Sequence, residues 1–253
     1  MLALGNNRAR TISEPAARCA QLVAHGAAMA CLLEVPDGAA DDDARAVVER
    51  IAELAPARVF LACAPDRSPR YPALRPALGE LAVPIFEVPR VILRGDPITT
   101  ASIRHALALG DVALCRELLG RPFRYRNTVT LGDQRGRLLG FPTANLAVDD
   151  TIIVPGDGVY AAWATVESGD VVPAAVNIGR RPTFYAQDGA HLVEAHLIGF
   201  EGDLYGTQLA VAFAARLRAE HKFQSIDARR TQLHLDIAAT RTTLEQLPPV
   251  TPN

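Results

Sequence analysis

The sequence predicts two domains of different class, an α/β domain followed by a small antiparallel β-barrel or sandwich that a helix closes. Three observations carry this. Up to about residue 118, apolar strand-like runs alternate with helix-like ones. From Arg121 onward the apolar residues recur with period two, in segments divided by turns. With 253 residues the chain has room for two ordinary cores.

In chain order, Ala28–Val35, Arg58–Cys63 and Pro84–Val88 read as short buried strands. Asp41–Leu54 is acidic at its start and carries Ala, Val, Ile and Leu at helical spacing, which predicts a helix. Pro65, Pro69, Pro72 and Pro76 make the next stretch an irregular loop. Thr100–Leu109 and Asp111–Leu119 read as helices separated by Gly110, with Gly120 as the stop of the second. Arg104, His105 and Arg116 are the only basic residues of that pair, so packing explains it better than reading of DNA.

The second half opens with Arg124–Leu131, and Gly158–Val166, Val171–Ile178, Leu192–Ile198 and Gln208–Leu217 follow as further strands. Glu167–Asp170 is a hairpin signal. Evenly spaced strands without intervening helices indicate a barrel or sandwich. Ser225 or Asp227 can cap a final helix that has Ile226, Leu233, Ile237 and Leu244 on one stripe. The expected divisions are 1–118 for the α/β domain, 119–247 for the β domain and its helix, and 248–253 for a frayed tail.

Nearly half the residues are apolar and the formal net charge is −2, a soluble globular composition that gives no reason to expect nucleic acid or anionic membrane as partner. Ala27–Leu33, an apolar run that no other exceeds in length, is too short to span a bilayer, and the first residues lack the order of a secretion signal. A cytoplasmic location is the expectation. Cys19, Cys31, Cys63 and Cys115 have no metal-ligand spacing and read as small buried apolar residues. The six histidines form no H-x-x-x-H or H-x-H cluster, so no zinc site is expected.

Chemistry concentrates in Gly132–Leu146. Gly132, Gly136 and Gly140 let backbone approach an anion, and Arg135 and Arg137 add positive charge for phosphate oxygens. Pro142 biases Phe141 toward an extended conformation. If the extension continues, Thr143 and Asn145 point the same way and offer a hydroxyl and an amide oxygen to Mg²⁺. No Gly-Lys-Ser/Thr follows the glycines, so this is a nucleotide triphosphate site of another build than Walker A. Taken alone, a T-x-N is more often a capped turn. Glu194, one carboxylate among the aliphatics of Leu192–Ile198, is either a solvated strand residue or a general base.

Six ordered motifs complete a resemblance. They are the Gly132–Leu146 segment, P-x-D-G-V-Y-A at Pro155–Ala161, N-I-G-x-x-P-T-F at Asn177–Phe184, V-E-A-H-L at Val193–Leu197, D-L-Y-G at Asp203–Gly206 and L-R-A-E-H-K-F at Leu217–Phe223. Together they resemble riboflavin kinase, more closely the kinase module of bacterial bifunctional riboflavin kinase/FAD synthetases, over about Arg121 to Leu247. The resemblance implies a six-stranded antiparallel barrel with a C-terminal helix. It implies a reaction in which ATP and riboflavin give FMN and ADP. Carried over by position, Thr143 and Asn145 bind the Mg²⁺–ATP phosphates, and Gly132, Gly136 and Arg137 line the phosphate loop. Tyr205 flanks the nucleotide, and Glu194 takes the proton of the ribityl 5′-hydroxyl. Arg218, His221 and Phe223 contact the flavin. Departures are Asn127 for a usual glycine, Leu131 for a frequent histidine and Gly199 for a common aspartate; none removes a proposed ligand or the base.

The module that precedes this kinase in the family is a Rossmann-like FMN adenylyltransferase, entered by G-N-F-D-G-x-H-x-G-H. Here Gly5–Glu14 puts Thr11 and Glu14 at the two histidine positions and Ser13 at the glycine. A carboxylate beside a triphosphate repels it. The second signature, I-S-S-T-R-I-R, reads Ile98–Arg104, with Ser102 for its first arginine and Arg104 kept. The first half is also some tens of residues shorter than such a module. It is therefore expected to be a truncated, degenerate nucleotidyltransferase-like domain kept for structure or partner contacts, self-association included. Two alternatives stay open: a bifunctional enzyme that also makes FAD, and a non-catalytic flavin-binding regulator.

Overall fold

The computed structural model describes residues 2–5, 11–30, 32–35, 41–62, 78–132, 140–180, 191–221 and 223–249. The chain forms two compact units, one of residues 1–10 and 14–98, the other of residues 11–13 and 99–252.

The first unit is α/β, as its rhythm predicts. Strand β1 (Leu2–Gly5) pairs in parallel with β2 (Leu32–Val35), and helix α1 (Pro15–Ala24) lies between them in sequence. Helix α2 (Asp41–Glu53) leads to β3 (Val59–Ala62), which pairs in parallel with β4 (Ile85–Val88). Pro15 at the start of α1 supplies a preset φ where no intrahelical N–H is needed. A short ribbon follows, β5 (Ile92–Leu93) against β6 (Asp96–Pro97), turned at Arg94 and Gly95 with φ of 53° and 93°. Both values are positive, as a two-residue hairpin turn with the twist of its strands requires. β1, α1 and this ribbon were not among the elements expected from periodicity. Val48 and Leu78 form a small core with Ile51, Leu81 and Ile85 against it.

The second unit is built on a closed six-stranded barrel. Its strands are β7 (Arg124–Thr130), β8 (Ala144–Leu146), β9 (Gly158–Thr165), β10 (Val171–Arg180), β11 (His191–Leu197) and β12 (Gln208–Arg218). Their spatial order is β10-β11-β8-β7-β12-β9, with every pair antiparallel. The registers sort residues by face. Ala195, Val176 and Tyr160 are partners in one buried row, and Leu197, Ala174, Ala162 and Phe213 in the next. Several of these are alanines because a barrel of six strands has a narrow interior. Asn127, at the family's glycine position, turns its amide to the Tyr125 hydroxyl at 3.3 Å. Tyr125 in turn donates to the Ala147 carbonyl at 2.7 Å.

Helices α3 (Thr100–Ala108) and α4 (Val112–Leu119) belong to this unit, whereas the sequence assigned them to the first domain. Ile103, Ala106, Leu107, Val112 and Cys115 are buried in the unit, and α4 packs on β12. The backbone explains the attachment. Gly156 N–H donates to the Leu107 carbonyl at 2.8 Å, and a Cβ on Gly156 would strike the Ala108 carbonyl. Arg216 donates to the carbonyls of Leu109 and Asp157 at 3.2 and 2.7 Å. Burial pushes the Cys115 thiol up to about 12, so this cysteine carries no reactive thiolate at neutral pH.

Two termini show how local chemistry sets the helices. Thr99 and Ser102 form a reciprocal capping box on α3, so the residue at the family's arginine position serves as a cap here. Ser225 caps the last helix, α5 (Ile226–Gln246), by accepting from Ala228 N–H at 3.1 Å. The apolar stripe of α5 divides: Leu244 is buried with Ala161 and Ala214, while Ile226, Leu233 and Ile237 face a cavity. Among the described residues no helix is long and apolar enough to cross a membrane.

Candidate active site

One face of the barrel carries a polar row. Glu194 on β11 is the register partner of Asn177 on β10 and of Asn145 on β8, and Asn145 is the partner of Thr130 on β7. Directly opposite residues of antiparallel strands hold their Cβ atoms about 4.5–5.5 Å apart, so these side chains are neighbours. Period two sends Glu194 to this face while Val193 and Ala195 enter the core.

Asn145 is 5% exposed, and its Oδ1 is buried without a hydrogen-bond partner. Gly132 lies against that amide, and a Cβ there would push the Asn145 amide out of its present place. An amide oxygen kept dry and unpaired costs stability unless a ligand satisfies it. With the Thr143 hydroxyl two residues away, the pair suits a hard cation such as Mg²⁺. Gly136 and Arg137, the other expected phosphate-loop residues, lie outside the described residues, as does Arg135.

The segment leading to Thr143 is anchored on both sides. The Phe141 ring sits edge-on to His196 of β11 and to His234 of α5, with centroids at 5.7 and 4.9 Å. His196 Nδ1–H donates to the Pro142 carbonyl at 2.8 Å. Neither histidine was expected at the site, since Phe141 and its two supports meet only through the fold.

Two cavities share Thr143. The larger, about 630 Å³, runs between the barrel face and α5, and Glu194, Asn177, Val159, His221, Phe223 and Leu233 are among its walls. The smaller, about 530 Å³, is lined by Val129, Pro142, Leu197, Phe200, Asp203 and Tyr205 as well as Thr143. Both volumes lie in the range of small-molecule sites. Tyr205 is 43% exposed, and its N–H donates to Asp203 Oδ1 at 3.0 Å in the Asp203–Gly206 turn.

Of the residues predicted from sequence, Glu194, Thr143, Arg218, His221 and Phe223 come together around the larger cavity, and Tyr205 stands at the smaller one. Asn145 lies beneath, beside Glu194. Sequence reasoning missed Asn177 and Asp236. The first follows from its period-two place beside the Glu194 strand, and the second is buried on the cavity side of α5. Among the described residues there is no cluster of three His, Cys, Asp or Glu side chains able to hold a metal.

Comparison with known proteins agrees with this geometry. The sequence model of the family described as Flavokinase, riboflavin kinase, matches residues 119–244. A bifunctional riboflavin kinase/FMN adenylyltransferase from Pseudomonas fluorescens is 42% identical over 151 residues, which are 60% of this chain and 48% of that protein. The protein of the same description from Bacillus subtilis (strain 168) is 40% identical over 140 residues, 55% of this chain and 44% of that protein. Matched this way, the chain spans about half the length of these curated relatives. Among solved structures, a macrolide-efflux protein from Streptococcus pneumoniae superposes with a TM-score of 0.74 at 26% identity, covering 91% of this chain and 75% of that one.

Proposed function

Because residues 119–244 belong to the riboflavin kinase family, we propose that this protein transfers the γ-phosphate of Mg²⁺–ATP to the ribityl 5′-hydroxyl of riboflavin, giving FMN and ADP. The observation that carries this reading is Thr143, which lines two cavities at once, beside a strand pair that sets Glu194 opposite Asn145. A phosphoryl donor in one cavity and an acceptor in the other then meet at a hydroxyl, an amide and a carboxylate.

Riboflavin occupies the larger cavity, its ring against the apolar side chains of Val159, Phe223, Leu233 and Ile237. Nucleotide occupies the smaller one beside Tyr205. Thr143 and Asn145 would hold Mg²⁺, and by the family resemblance Gly132, Gly136 and Arg137 would bind the phosphates. When bound, the ion neutralises charge on the phosphate oxygens, which phosphoryl transfer needs more than covalent help. Glu194 accepts the proton of the attacking hydroxyl, a contribution on the order of 10²–10⁴-fold. Arg218, His221 and Phe223 form the flavin end of the site.

A second reading comes from the curated relatives, whose descriptions include FMN adenylyltransferase. Against it stand Thr11 and Glu14 at the histidine positions of that chemistry. The Thr11 backbone is moreover engaged with the carbonyl of Thr151 and the N–H of Ile153, at 2.6 and 2.8 Å. The proposal is that FAD synthesis is lost and the reaction takes place in the cytoplasm.

Chromatography of products after incubation with riboflavin and Mg²⁺–ATP tests this directly. FMN and ADP are expected; absence of FMN across metals and pH sinks the kinase. FAD formed from FMN and ATP would restore the second reading. Calorimetry showing tight FMN binding without turnover would mark a flavin-binding regulator instead.

A further inference from the structure

Arg218 ends β12 at the cavity, and most of its hydrogen-bonding capacity is spent inside the protein. A guanidinium carries five N–H donors and no acceptor. Nε and Nη2 donate to the two oxygens of Asp236 at 2.8 and 2.7 Å. Nη1 donates to the Ala219 carbonyl at 2.9 Å and to His221 Nδ1 at 3.0 Å. Asp236 is 4% exposed on α5, and Gln232, one turn earlier, donates to its Oδ1 at 2.9 Å. The bidentate pair therefore holds the guanidinium plane in a fixed orientation.

The consequence falls on His221. Since Arg218 can only donate, His221 Nδ1 accepts, and the ring proton sits on Nε2. The ring rests against Phe223 at a centroid separation of 4.4 Å, and both side chains line the larger cavity. We propose that Asp236, acting through Arg218, is a positioning residue that fixes His221 as an Nε2–H donor for a carbonyl oxygen or ring nitrogen of the flavin. This rests on the riboflavin kinase reading of the site. It gives the cavity a preference for ring systems with a hydrogen-bond acceptor on that edge.

Nitrogen-15 NMR of the full chain, labelled at histidine and assigned by loss of signal in His221→Phe, reads the tautomer without any substrate. A protonated Nε2 and bare Nδ1 are expected for His221, giving way to a tautomer mixture in Asp236→Asn. Steady-state kinetics supply the second readout. His221→Phe should raise KM for riboflavin about tenfold, the worth of one neutral hydrogen bond, with kcat nearly unchanged. Asp236→Asn should raise KM similarly, and the double variant should add little. Where Asp236→Asn does not fold, Arg218→Lys breaks the same link and takes its place. A protonated Nδ1 in the unaltered protein, an unchanged KM in His221→Phe, or fully additive variants would overturn the proposal. Should the expected tautomer accompany a lack of turnover, riboflavin binding by calorimetry separates the cases. Binding weakened about tenfold in His221→Phe upholds the donor and sinks only the kinase, whereas no binding sinks both.

Discussion

The two units of this chain differ in sequence rhythm and in how much apolar side chain they bury among the described residues. In the barrel unit Tyr125, Tyr160, Phe123, Phe213 and Leu209 are all less than 2% exposed. In the first unit, among the described residues, Val48 and Leu78 are the buried apolar side chains. Phe60 and Phe86, register partners on β3 and β4, stack at 5.4 Å while 66% and 46% exposed. Helix α1 buries none of its residues. Close packing is concentrated in the unit that carries the candidate site. The proposed phosphoryl-transfer site would need Thr143, Asn145 and Glu194 held in place, and close packing behind them supplies that.

The largest effect is expected at Glu194. Glu194→Gln should lower kcat by about 10²–10⁴-fold while the fold persists by circular dichroism; a near-normal rate would remove this residue from the chemistry. Next in size is the barrel core. Leu209→Ala should cost about 2–5 kcal/mol in denaturant unfolding, because a fully buried side chain leaves a cavity. Gly132→Ala should weaken productive metal–nucleotide binding by about 10–100-fold, since the new methyl displaces the Asn145 amide. The readout is KM for Mg²⁺–ATP with the melting temperature little changed. Smallest is Phe60→Ala, expected within about 0.5 kcal/mol of the unaltered protein as for other exposed positions. A loss there as large as that at Leu209 would mean that the two units are not so unlike.

How much of this was legible in the sequence depended on whether the information was local. Period two revealed five of the six barrel strands nearly to their ends, because each has one face in the core. Strand β8 escaped, since Ala144–Leu146 is too short to show alternation and follows a loop. The Arg94–Gly95 turn escaped because arginine seldom takes positive φ, so the pair lacks the usual Asn-Gly signature. Helices α3 and α4 were found, but their packing against the barrel unit was not, for periodicity shows which face is apolar and not which core receives it. The stripe on α5 carries the same lesson: Ile226, Leu233 and Ile237 read as packing residues and line a cavity. Thr143, Asn145 and Glu194 could be singled out from their motifs as candidates, and the structure brings them near one another. Asp236, His196 and His234 were not, because their partners lie far away in sequence.

For the proposed reaction, the sharing of Thr143 by both cavities also bears on how the phosphoryl group would pass. Donor and acceptor that meet at one threonine can exchange a phosphoryl group directly, with no protein side chain carrying it in between. A chiral γ-phosphate should then emerge with inverted configuration after a single in-line displacement. Initial rates with both substrates varied should give intersecting rather than parallel reciprocal plots, the signature of two molecules held at once.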